Sequence, residues 1–114
     1  MENNNITKPL DCTNMSVDQI VTAICCQVNL YRDSGNMNNA SFYAGICKDV
    51  KDNMKRHDNE GYVALCQCKD RKTAGDVETA LGEKGFDVGA RPDNGGDEET
   101  TIVYVIKIDR NFKR

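Results

Sequence analysis

The sequence predicts an α+β domain, a small and largely antiparallel sheet flanked by helices. Two observations predict it. Helix-spaced apolar positions are mixed along the chain with short β-branched or apolar runs. The first two candidate strands flank "DSGNMNNA", residues 33–40, whose Asp, Ser, Gly and Asn residues suit a hairpin turn. The 114-residue length fits one core and one domain.

The elements follow in chain order. Residues 1–15 are rich in Asn, contain Pro9 and read as a loose arm before a single domain at 16–114. Ser16 is placed to cap a helix carrying Val17, Ile20, Val21 and Ile24 at helical spacing. "CCQVNLY", 25–31, continues that helix or becomes a strand, and periodicity does not separate the two. The hairpin favours a strand over 27–32, paired with "SFYAGIC", 41–47. A short helix at 49–57 turns Val50 and Met54 inward. "YVALCQC", 62–68, is the third strand. Thr73, with Asp76 three residues on, is expected to cap a helix over 73–84 with Ala74, Val77 and Leu81 as its apolar stripe. "FDVGA", 86–90, is a candidate short strand, and "TTIVYVIKI", 100–108, is the strongest strand in the chain.

Composition narrows the function classes. Hydrophobic residues make up 39% and charged residues 29%, as in an ordinary folded domain. No apolar run approaches the roughly 20 residues of a membrane span, so no membrane association is expected. The start, "MENNNITKPLDC", has no basic region followed by an apolar core. A cytoplasmic protein is therefore expected, with its six cysteines reduced. Cys66 and Cys68 share one face of a strand and read as small core residues rather than as a zinc site. The net charge of -3 disfavours binding that rests on phosphate contacts. A nucleic-acid partner would need a local basic patch.

Three blocks together resemble the GIY-YIG nuclease superfamily. "YAGICKDVKDNMKRH", 43–57, is similar to its second motif, with Tyr43, Gly45, Ile46, Asp49 and His57 in register. "NLY", 29–31, stands where the first motif ends, with eleven residues between Tyr31 and Tyr43. "DRKTAGDVE", 70–78, resembles the helix of small single-domain members, and Glu78 occupies the place of the metal-binding glutamate. The resemblance covers roughly residues 27–84.

It implies metal-assisted phosphodiester hydrolysis. Glu78 would hold one Mg²⁺, Tyr43 with Tyr31 would position or deprotonate the attacking water, and His57 would assist from the end of the second helix. The sequence departs from the pattern where Asn53 stands in place of the arginine that holds the phosphate. A neutral amide cannot offset transition-state charge, and losing such a donor costs about 10²–10³ in rate. Arg56, a turn further on, and Arg32 are the substitutes within reach. The first motif reads Asn-Leu in place of Gly-Ile, and no late Asn is found. The active site implied is therefore degenerate.

Each residue also has a plainer reading. Tyr31 and Tyr43 suit strand aromatics with wet hydroxyls, and Gly45 suits a close backbone contact. His57 suits the negative end of a helix dipole. Lys48, Lys51, Lys55 and Arg56, interleaved with Asp49 and Asp52, suit a solvated face, and Glu78 an exposed one. Three functions stay open: a weak Mg²⁺-dependent nuclease, a non-catalytic domain binding nucleic acid or protein, and an unrelated α+β interaction domain, dimeric through the strand at 100–108.

Overall fold

A computed structural model describes residues 6–31, 38–57, 61–88 and 98–108, without the side chains of residues 56 and 57. Its elements are β1 (Leu10–Asp11), α1 (Val17–Tyr31), β2 (Phe42–Cys47), α2 (Val50–His57), β3 (Ala64–Gln67), α3 (Arg71–Glu83) and β4 (Ile102–Lys107), with a 3₁₀ turn at Asn39–Ser41 before β2. The architecture is α+β. No helix among the described residues is long and apolar enough to cross a membrane.

α1 begins with a capping box. The Gln19 amide donates to Ser16 Oγ at 3.2 Å, and the Ser16 amide donates to Gln19 Oε1 at 2.9 Å. The helix then runs unbroken to Tyr31. This corrects the strand expected over 27–32 and removes the hairpin. The physical reason is the stripe Ile20, Val21, Ile24 and Val28, buried together, which extends the helical period through the ambiguous stretch. β2 finds its partner elsewhere, in the β-branched strand β4.

The four strands lie in the order β1-β3-β4-β2. β4 runs antiparallel to both neighbours, with Gly45 opposite Tyr104 and Leu65 opposite Tyr104 in the two ladders. β1 runs parallel to β3, pairing Leu10 with Cys66. Residues 6–12 of the expected loose arm are thus part of the fold: Ile6 and Tyr62 exchange backbone hydrogen bonds at 3.1 and 3.0 Å, and Cys12 is fully buried. Because β4 is paired along both edges, the expected dimer contact through 100–108 is already occupied within the chain.

Strand alternation gives the sheet two covered faces. Phe42, Ala44, Ala64, Cys66, Val103 and Val105 point to one side, where α1 and α3 cover them with Ile20, Ile24, Val28, Ala74, Val77 and Leu81. Cys47, Leu65, Ile102, Tyr104 and Ile106 point to the other, joined by Tyr62 and flanked by Tyr43, Val50 and Met54. α2 therefore forms a thin second layer opposite α1 and α3.

Two smaller expectations change. Asp70, not Thr73, caps α3; its carboxylate accepts from the Thr73 amide at 2.8 Å. Thr73 is buried under the helix, and Asp76 instead pairs with Lys72 at 3.0 Å on the surface. After α3 the chain turns at Gly85, whose φ of 101° suits a residue without a Cβ. The short strand expected at 86–90 is represented by one bridging residue, Asp87, which pairs with Tyr43, while residues 89–90 lie outside the described ones.

Candidate functional site

β2 and α2 place one group of the candidate residues together. Asp49 precedes α2 and caps it, accepting from the Lys51 and Asp52 amides at 2.9 and 3.2 Å. This accounts for an aspartate at that position without any ligand. Asn53 falls one turn later and turns inward, 5% exposed. Its Oδ1 accepts from the Tyr62 hydroxyl at 2.8 Å, and the same hydroxyl lies 3.3 Å from the Val50 carbonyl. The side chain that replaces the expected arginine is thus committed to holding α2 on the sheet.

Tyr43 and Gly45 sit on the same face. The Tyr43 ring is half-buried and lies 6.2 Å from that of Tyr104, which also lies 5.6 Å from that of Tyr62. Tyr104 crosses directly over Gly45: a Cβ there would come within 2.5 Å of the Tyr104 hydroxyl oxygen and 2.7 Å of Cζ. The glycine of the Tyr-x-Gly pattern is therefore required by a tyrosine packed across the strand. Tyr62 and Tyr104 were not among the residues singled out from sequence. The signal was a glycine in one strand and an aromatic in another, but only the register between them makes it a pair.

Tyr31 and Glu78 lie in the other layer. Tyr31 ends α1 and meets Phe42 edge to face at 5.9 Å, on the side of the sheet away from Tyr43. Glu78 is on α3 beside Val77 and is 3% exposed, not on a solvated helix face. It is engaged with other groups inside the fold. The fold brings Tyr43, Gly45 and Asn53 together and separates them from Tyr31 and Glu78 by the thickness of the sheet. Arg56 and His57 belong to the last turn of α2, with side chains outside the described residues, and Arg32 lies outside them altogether.

The Mg²⁺ that the resemblance implies does not fit this arrangement. Mg²⁺ is held by one or two carboxylates and keeps several waters, which requires an open, wet approach. Glu78 is buried, 3% exposed, and no cluster of three or more His, Cys, Asp or Glu side chains able to hold a metal ion occurs among the described residues.

The cysteines are free thiols in different settings. Cys12, Cys47, Cys66 and Cys68 are buried, Cys25 is half-buried, and Cys26 is exposed on α1. Burial pushes the Cys47 and Cys68 thiols up to about 12 and raises Cys66 as well. Cys66 Sγ lies 3.8 Å from Gln27 Oε1, so this thiol helps seat α1 on β3. Compared with protein-family models, curated proteins and solved structures, the chain matches none.

Proposed function

We propose that this chain is a non-catalytic binding domain that works through protein contacts. The observation that carries this reading is the separation of Tyr43 from Glu78. Hydrolysis by the implied route needs the water-positioning tyrosine and the metal carboxylate around one phosphate, and here the sheet lies between them. The commitment of Asn53 to Tyr62 supports the same conclusion, because it leaves no cation at the position of the missing arginine.

A protein partner fits better than nucleic acid. The net charge of -3 opposes the phosphate backbone. The Lys48, Lys51 and Lys55 positions alternate with Asp49 and Asp52 and form no single-sign patch. The likeness to GIY-YIG nucleases then belongs to one strand–helix unit, whose tyrosine, glycine and aspartate have packing and capping roles. Free thiols suit a reducing compartment.

The test is incubation with single- and double-stranded DNA and RNA in Mg²⁺ and in Mn²⁺. The expected outcome is no metal-dependent cleavage and no salt-sensitive binding. Cleavage that disappears in both Tyr43→Phe and Glu78→Gln, each shown to be folded, would return the nuclease reading.

A further inference from the structure

Three of the free thiols gather at one margin of the sheet. β1 is an edge strand of two residues, Leu10 and Asp11, both exposed. Among the described residues it pairs with β3 alone, with Leu10 opposite Cys66 and Asp11 opposite Gln67. The next residue, Cys12, donates its amide to the Gln67 carbonyl at 2.9 Å. The ladder therefore carries Cys12 to the side of Cys68, whose own amide is held to the Thr101 carbonyl at 2.9 Å. Cys12, Cys66 and Cys68 all turn to the face under α1 and α3, where they are buried in one core cluster.

We propose that Cys12 and Cys68 form a redox latch, in which a low-molecular-weight disulfide oxidises the pair and the new bond fixes the N-terminal edge strand to β3. Residues side by side on neighbouring strands have Cα atoms about 4.8 Å apart, inside the range of about 4.4–6.8 Å that a disulfide spans. Cys66 stands two residues back along β3, which sets its Cα about 8 Å from that of Cys12 and outside that range. The register thus selects Cys68 over Cys66 as the partner.

In the closed fold both thiols are inert. Cys12 is 0% and Cys68 1% exposed, and burial pushes the Cys68 thiol up to about 12 and raises Cys12 as well. The thiolate is the attacking form, so the reaction waits on local opening. β1 is the element suited to open. Apart from the Ile6–Tyr62 bridge, a two-residue ladder is what holds this segment to the sheet, and its side chains face solvent. Opening bares Cys12. Its thiolate attacks one sulfur of the small disulfide, forms a mixed disulfide and releases one small thiol. Cys68 then loses its proton and attacks the Cys12 sulfur, and the second small thiol leaves. Two cysteine thiols have given two electrons and two protons to one disulfide, which becomes two thiols. Excess small thiol runs the exchange backwards and frees β1. The latch stands independently of the non-catalytic reading.

The experiment is incubation of the folded chain with oxidised glutathione, followed by peptide mass spectrometry without reduction. The expected result is a bond joining Cys12 to Cys68, with a rise in Tm of about 10 °C that dithiothreitol reverses. Exposed Cys26 takes up glutathione as a mixed disulfide and shows that the oxidant is active. Cys12→Ala and Cys68→Ala, each checked for folding, should lose the bond and the rise in Tm. Mapping on the unaltered chain stands even where a variant fails to fold. Cys12 and Cys68 both remaining reduced while Cys26 is modified, a bond from Cys12 to Cys66 instead, or a Cys12–Cys68 bond that forms only in urea overturns the proposal.

Discussion

The Tyr62–Asn53 hydrogen bond is a buried side-chain link, 2.8 Å long, that ties α2 to the segment entering β3. Asn53→Ala leaves the Tyr62 hydroxyl its longer 3.3 Å bond to the Val50 carbonyl, whereas Tyr62→Phe takes the donor from the buried Asn53 Oδ1, so in urea unfolding the first should cost about 0.5–1.5 kcal/mol and the second about 1–3 kcal/mol. The two losses should be less than additive when combined. Asn53→Arg should not create a phosphate site; it forces an unpaired guanidinium into a buried position, at a cost of about 3 kcal/mol or more. Gly45→Ala should destabilise by about 1–3 kcal/mol through overpacking against Tyr104, and much less in a Tyr104→Val background. If Gly45→Ala were harmless to folding, the packing account of the Tyr-x-Gly pattern would fail. The buried thiols give a pH dependence. Cys47 and Cys68 keep their protons to about 12 in the fold, against 9.0 ordinarily. Below pH 9 both states are protonated and this contribution is fully present. Above it the unfolded chain ionises first, so stability falls as pH rises from 9 toward 12. Chemical denaturation at pH 8 and pH 10.5 (about one and a half units above the ordinary thiol value) should show the decline, and Cys47→Ala or Cys68→Ala should flatten it.

At the scale of elements, the caps are separable contributions. Asp70→Ala should cost about 0.5–2 kcal/mol, because the Thr73 amide loses its acceptor. Breaking the exposed Lys72–Asp76 pair should change stability by no more than about 0.5 kcal/mol. Elements whose signal is local were legible in the sequence. The Ser16 cap, the apolar stripe of α3 and the β-branched run of β4 are each contained within a few residues. What was not legible depended on distant partners. The stretch 25–31 has a helical period in Val28 but also suits a strand, and only the pairing of β2 with β4 instead of with this segment decides the matter. The same holds for β1, two residues long, which is a strand because β3 lies beside it. The candidate site was least legible. Tyr43, Asn53 and Glu78 were placed on the right elements, yet no local feature tells on which face of the sheet α3 packs.

For the whole molecule, the central claim is that the residues resembling a nuclease site do not form one. Tyr43 and Gly45 lie with Tyr104 on the face that α2 flanks, while Tyr31 and Glu78 belong to α1 and α3, which pack on the other face. Paramagnetic line broadening by Mn²⁺ in isotope-labelled protein tests this directly, since the ion marks every amide near its site whether or not catalysis occurs. The account predicts weak, scattered broadening at exposed carboxylates, with the Glu78 and Tyr43 amides unaffected. Saturable broadening of Glu78 and Tyr43 together, abolished by Glu78→Gln in a folded protein, would contradict it.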